Sequence, residues 1–143
     1  MELKDIVAIS ACRTPMGNFG GTLKAMDSYD IGAAAIRAAV ERAGIKPDQV
    51  QDVILGSCRQ AGNGVNPSRT ASVKGGIPKS VPAITLNMAC PSGMRAIAMA
   101  SQQIRLGDHD VVLVGGFDSM STIPFLLKGA RWAGFKMGDK KLE

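Results

Sequence analysis

Apolar residues along the chain fall into short, branched runs separated by longer periodic stretches rich in small residues. Ile6-Val7-Ala8-Ile9, Val53-Ile54-Leu55-Gly56, Ala83-Ile84-Thr85-Leu86-Asn87 and Val111-Val112-Leu113-Val114 each have the length and composition of a buried strand. The last run is apolar on both faces, as parallel strands covered by helices on either side are. After the first run, the turn-rich stretch from Arg13 to Gly21 predicts an irregular loop. A helix is expected over Ser28–Ala43, with Asp27 or Ser28 as its cap. Ile31, Ala34, Ala35, Ala38 and Ala39 would make its mostly small apolar face. Gly44 suits a left-handed terminal residue, and Pro47 stops any continuation.

Asn66-Pro67 reads as an N-cap followed by proline at the first helical position, opening a short helix that Gly75-Gly76 and Pro78 end. A further helix is expected from Pro91 to Leu106, closed by Gly107. Strands alternating with helices predict an α/β protein with an open, mostly parallel sheet and helices on both faces. From Ser119 to Glu143 the pattern is lost among Pro124, Gly129, Gly134 and Gly138, which marks an excursion leaving the sheet.

The length of 143 residues suits one domain of ordinary size. No stretch approaches the roughly 18 consecutive apolar residues of a membrane-spanning helix. Met1-Glu2-Leu3-Lys4-Asp5 lacks the apolar core of a secretory signal, so a cytoplasmic location is expected. The net charge of +5 favours anionic partners, phosphate-bearing small molecules among them. Its basic residues are scattered, and four Phe, one Tyr and one Trp supply a poor platform for stacked bases, which argues against nucleic acid. Cys12, Cys58 and Cys90 are too far apart for a CxxC motif, and with His109 as the only histidine a zinc site is not expected.

Nucleotide-binding motifs are incomplete. Gly62-Asn63-Gly64-Val65-Asn66-Pro67 begins like a dinucleotide fingerprint but has proline at its third glycine position, and no acidic residue follows at the required distance. Glycines serving tight turns account for it. Cys90 is more informative, because it lies between an expected strand end and an expected helix start. A thiol there faces backbone N–H groups and the positive end of the helix dipole, both of which favour the nucleophilic thiolate. Gly93 would allow close approach of a substrate or another backbone. The carboxyl end of a strand in an open α/β sheet is also where ligands bind. The plain alternative is a small buried hydrophobe, and that alternative is favoured for Cys12 and Cys58.

The segment from Asn87 to Ala96, Asn-Met-Ala-Cys-Pro-Ser-Gly-Met-Arg-Ala, resembles the active-site segment of thiolases, the acyl-CoA acetyltransferases. Arg13 to Gly21 is similar to the family's first loop, and Gln60 to Arg69 to its segment after the second strand. Gly115-Gly116-Phe117-Asp118-Ser119-Met120-Ser121 resembles its glycine-rich run, usually written with Glu where Asp118 stands. The resemblance covers essentially the whole chain. It implies a Claisen-type acyl transfer in which Cys90 is the catalytic residue, taking an acyl group from acyl-CoA as a thioester. Backbone amides, that of Cys90 included, would stabilise the oxyanion. Acyl-CoA is then the substrate, and no resident cofactor or metal is implied. Pro91 departs from the small residue the family has there.

The family's activating histidine, its second catalytic cysteine and its Asn-Glu-Ala-Phe segment lie in a C-terminal half that has no counterpart here. The resemblance therefore implies an N-terminal thiolase portion, a fragment that needs the C-terminal half or a second chain for activity and is inactive alone. Residues 1–118 would form the α/β lobe without its last strand, and 119–143 the beginning of the loop domain. A non-catalytic structural or scaffold half is the alternative. Ala83 to Met88, an uncharged strand that lies at the sheet edge in this fold, is expected to join a second copy in a homo-oligomer.

Overall fold

All five residues of β1 (Asp52–Gly56) are buried, which explains a run without polar alternation. Parallel neighbours flank it in the order β2-β1-β3, with β2 at Ala83–Leu86 and β3 at Val112–Gly116. The register pairs Val53 with Ala83 and Gly56 with Leu86 on one side, and Asp52 with Val112 and Gly56 with Gly116 on the other. This computed structural model describes residues 5–127, 129, 130 and 132.

Val53 and Leu55 face a cluster built from Ile36 and Val40 of α1 (Ser28–Ala43), Ala71 of α2 (Pro67–Lys74), and Val50, Ile77, Val81 and Phe117. Ile54 faces the opposite way, onto Ala96 and Ala100 of α3 (Ser92–Leu106). Helices thus cover both faces, as expected of an α/β sheet. Local signals act where the sequence places them. Gly44 and Gly107 close α1 and α3 in the left-handed conformation, at φ 67° and 83°. The Asn66 Oδ1 accepts the Arg69 N–H at 3.0 Å and caps α2, with Pro67 as its first residue.

Four expectations are corrected. Ile6 to Ile9 is not a strand: no ladder is formed there, and Val7 and Ile9 are 76% and 55% exposed. A cavity of about 340 Å³, lined by Asp5–Ser10 on one side and Val111–Val114 on the other, separates this segment from the outer edge of β3. Without a pairing partner an apolar run cannot satisfy its backbone as a strand. β3, expected to be covered on both faces, is for the same reason only half-buried.

The buried face of α1 is also not the expected alanine stripe. It consists of Ser28, Gly32, Ala33, Ile36 and Val40, because the two large branched residues seek the core. Gly32 is required at the contact: a Cβ there would lie 2.9 Å from the Phe117 ring. Ile31, Ala34, Ala35, Ala38 and Ala39 are half-buried. Lastly, Asp27 is the N-cap of α1 but makes no side-chain cap bond; its carboxylate accepts the Tyr29 hydroxyl instead.

The expected excursion begins with a 3₁₀ turn at Met120–Thr122. Positions 128, 131 and 133–143 of that expectation lie outside the described residues, as do 1–4.

Candidate active site

Leu86 ends β2 and Ser92 begins α3, so five residues turn the chain from strand to helix. Ala89 holds φ 56°, the left-handed conformation that costs an L-residue about 1–2 kcal/mol. Among the described residues it is the one non-glycine with positive φ. Side chains hold the turn in place. The Asn87 Oδ1 accepts the Ala89 N–H at 3.0 Å. Ser92 Oγ accepts the Met88 N–H at 2.8 Å and donates to the Ala89 carbonyl at 2.6 Å. The Ser92 N–H donates to that same carbonyl at 3.1 Å.

Cys90 is displayed on the outside of this turn and is exposed. Pro91 is the N-cap of α3 rather than its first helical residue, so Cys90 stands two positions before the helix. Fewer free amides face it than a helix start would ordinarily offer, since Pro91 has none and that of Ser92 is engaged. The Cys90 N–H itself has no partner among the described residues. The site therefore presents a thiol beside its own free amide, which an oxyanion can use.

Glycines bring the helix start against the strand ends. A Cβ on Gly56 would lie 2.7 Å from the Ser92 Cβ and 2.8 Å from the Gly93 nitrogen. A Cβ on Gly93 would meet the Gly115 carbonyl oxygen at 3.7 Å. Of the two possibilities raised by Gly93, the close neighbour is another backbone.

The other thiols are engaged. Cys12, half-buried, donates to the Ala35 carbonyl at 3.0 Å. Cys58, also half-buried, donates to Asp118 Oδ2 at 3.0 Å. That hydrogen bond first, and burial second, push the Cys58 thiol above its ordinary titration range. His109 sits half-buried in the turn between α3 and β3, at the amino end of the sheet. Cys90 follows the carboxyl end of a parallel strand, so the structure does not bring the two together. Gly62 and Gly64 both hold φ 80°, serving turns rather than a phosphate cradle.

In the sequence Asp118 stands out only as a departure from the Glu that the resemblance leads one to expect. In the structure its carboxylate gathers the loop after β1: Ser57 Oγ at 3.1 Å, the Cys58 N–H at 3.3 Å, the Cys58 thiol and the Arg59 N–H at 2.9 Å. The Gly115-Gly116-Phe117-Asp118 spacing puts a carboxylate two residues beyond a strand end, but nothing in it names the loop that it holds.

Comparison with known proteins agrees with this geometry. The family model described as the thiolase N-terminal domain matches residues 6–143. Acetyl-CoA acetyltransferase of Cupriavidus necator is 47% identical over 140 residues, covering 98% of this chain and 35% of that protein. A probable acetyl-CoA acyltransferase of Staphylococcus epidermidis is 48% identical over 138 residues, with 96% and 35% covered. The crystal structure of Bacillus anthracis acetyl-CoA acetyltransferase superimposes with a TM-score of 0.89 at 38% identity, over 96% of this chain and 35% of that one. The Syntrophomonas wolfei acetyl-CoA acetyltransferase structure gives 0.87 at 38% identity, over 99% and 36%. The chain thus spans about a third of the length of these relatives, and the family match together with the identities and superpositions shows that it belongs to the thiolase family, in the part that forms the N-terminal domain.

Proposed function

We propose that this chain is the acyl-accepting portion of a thiolase, with Cys90 the catalytic nucleophile and CoA thioesters the substrates. The observation that carries it is the strand-turn-helix display of Cys90, held by Asn87 and Ser92, with the other two thiols engaged. The Cys90 thiolate attacks the thioester carbonyl of acyl-CoA. The C–S bond to CoA then breaks, CoA leaves as its thiolate and takes up a proton, and the acyl group remains on Cys90. Attack by the α-carbon of a second acetyl-CoA would give a 3-ketoacyl-CoA; the reverse direction is thiolysis by free CoA. No resident cofactor is needed for either direction.

Removing protons from Cys90 and from the α-carbon calls for a base within hydrogen-bond reach, and His109 is at the other end of the sheet. A C-terminal half therefore completes the site in this proposal. The cavity between Ile6–Ile9 and the open edge of β3 is a place where part of it can pack. Incubated with acetyl-CoA in the presence of that half, the chain should gain one acetyl group, mapped by mass spectrometry to Cys90. A label on Cys12 or Cys58, or none on Cys90, would overturn the assignment. A scaffold role without chemistry predicts no label at all.

Self-association through Ala83 to Met88 belongs to the same proposal. β2 is one of the two edge strands among the described residues, and Ile84 and Met88 are exposed. That edge is already partly closed by the chain itself, because Asn66 Nδ2 donates to the Ala83 carbonyl at 3.0 Å. The free ladder groups begin at Thr85. Thr85→Pro should weaken the dimer in sedimentation, whereas Thr85→Val, which loses the hydroxyl bonded to Asn66 and to the Ser68 N–H but keeps the backbone N–H, should not.

A further inference from the structure

We infer that Asp118 is a positioning residue for Cys90, acting through the 57–59 loop and the Asn87 side chain. Four donors from three consecutive residues converge on this one carboxylate. The loop it gathers touches the turn that carries Cys90 at two points. The Ser57 N–H donates to the Leu86 carbonyl at 3.0 Å, at the end of β2. The Asn87 Nδ2 reaches the Cys58 carbonyl at 3.4 Å, while its Oδ1 holds the Ala89 N–H. Asn87 is thus the hinge pin of the arrangement, with one end of its amide on the Asp118-held loop and the other on the residue before Cys90.

The strain at Ala89 makes this dependence physical. A left-handed alanine persists only where its surroundings over-determine it. Two side chains supply that here, Ser92 from the helix and Asn87 from just past the strand end, and only Asn87 is tied to Asp118. Loss of the carboxylate frees the loop, the Asn87 amide loses its outer anchor, and Ala89 can relax toward ordinary φ. The Cys90 thiol and N–H then leave, together, the place where the turn holds them. The same carboxylate has a second effect, since it holds the Cys58 thiol as a hydrogen-bond donor and keeps it from competing with Cys90 for an electrophile.

The inference rests on Cys90 being the reactive thiol, so its test is read with iodoacetamide as well as acetyl-CoA. Peptide mapping follows alkylation of Cys12, Cys58 and Cys90 separately in the 143-residue chain. In Asp118→Asn, Cys90 should react several-fold more slowly, up to the roughly hundredfold that a misplacement of about 1 Å can cost. Cys58 should react faster, and Cys12, which shares no partner with Asp118, should be unchanged. Asp118→Glu keeps the charge and should recover part of the Cys90 rate. Asn87→Ala should slow Cys90 by a similar factor without releasing Cys58, and the double variant should be no slower than the slower single one. An unchanged Cys90 rate in folded Asp118→Asn, or deficits that multiply in the double variant, would overturn the inference. Should Asp118→Asn unfold, seen as faster alkylation at Cys12, Asn87→Ala decides alone: an unchanged Cys90 rate overturns it. If wild-type Cys90 alkylates but takes no acetyl group even with the C-terminal half, the proposed function fails while the dependence on Asp118 stands.

Discussion

The two sides of β1 are finished to different degrees. Toward β2 the structure is closed by polar bonds as well as packing. Asn66, through its amide, ties the start of α2 to Ala83 and Thr85, and Ser68 donates its N–H to the Thr85 hydroxyl at 3.0 Å. Arg69 reaches over to the Val81 and Lys79 carbonyls. Toward β3, Gln51 and Asp118 tie the two strands at their ends, but beyond Val112, Leu113 and Val114 no side-chain hydrogen bond reaches Ile6–Ile9 among the described residues. The strand is half-buried, a cavity follows, and the segment beyond it forms no ladder. Hydrophobic sequence is present on both sides in similar amount. Polar side chains that close the outer edge of the flanking strand are found on one. Apolar composition alone marks where a surface will be covered, whereas polar networks mark where the covering partner is already in the chain.

Truncations at the finished centre of the sheet and at its unfinished edge should expose the difference most strongly. Ile54, fully buried between β1 and α3, should lose about 2–5 kcal/mol of stability on mutation to alanine, measured by urea denaturation. Ile9→Ala, at an exposed position, should change it by no more than about 0.5 kcal/mol. Adding the C-terminal half sharpens the contrast, since Ile9→Ala should then become costly while Ile54→Ala changes little. An Ile9→Ala cost that is already large in the chain alone would show that its side of the sheet is closed after all.

Gly56→Ala comes next in size. Its new Cβ would meet Ser92 and Gly93 backbone and Cβ atoms under 3 Å, none of them the far end of a flexible side chain. The start of α3 must shift, at about 1–3 kcal/mol, and Cys90 must shift with it. Slower alkylation of Cys90 together with lower stability is the expected result. Equal stability and an unchanged Cys90 rate would mean that the helix start is free to slide.

Much of this was legible in the sequence, and the failures have a common cause. Gly44, Gly107 and the Asn66-Pro67 pair act locally, through φ and a cap bond that need only their neighbours, and their elements end where expected. Strand β1 was legible because both of its faces are covered by this chain. The run at Ile6–Ile9 carries the same composition, but a strand exists only with a partner, and nothing in a single run says where that partner comes from. The alanine stripe of α1 misled because small residues tolerate burial without requiring it; Ile36 and Val40 decide the face. Cys90 could be found from its strand-to-helix position. The role of Asp118 could not, since its four donors come from residues about 60 positions earlier and only the parallel register of β1 and β3 brings them together.

The smallest expected effect concerns pH, and it belongs to the knot where the strand ends meet. The Cys58 thiol is raised in the folded chain, chiefly by donating to Asp118, so folding favours its protonated form. A group raised on folding contributes stability that is complete below its unfolded value and is lost as pH rises through its folded value. For a thiol the loss therefore begins above its ordinary value of 9.0. Tyr29, raised mainly by its bond to Asp27, and Lys74, raised mainly by Asp30, lose favourable interactions in the same alkaline range. Cys58→Ser separates the contributions. Its hydroxyl can still donate to Asp118 but does not ionise there, so melting temperature followed upward from pH 8 should fall less steeply than in the wild type. Parallel curves for the two proteins would assign the alkaline loss to Tyr29 and Lys74 on the exposed face of α1 and α2, and none of it to the loop that Asp118 holds.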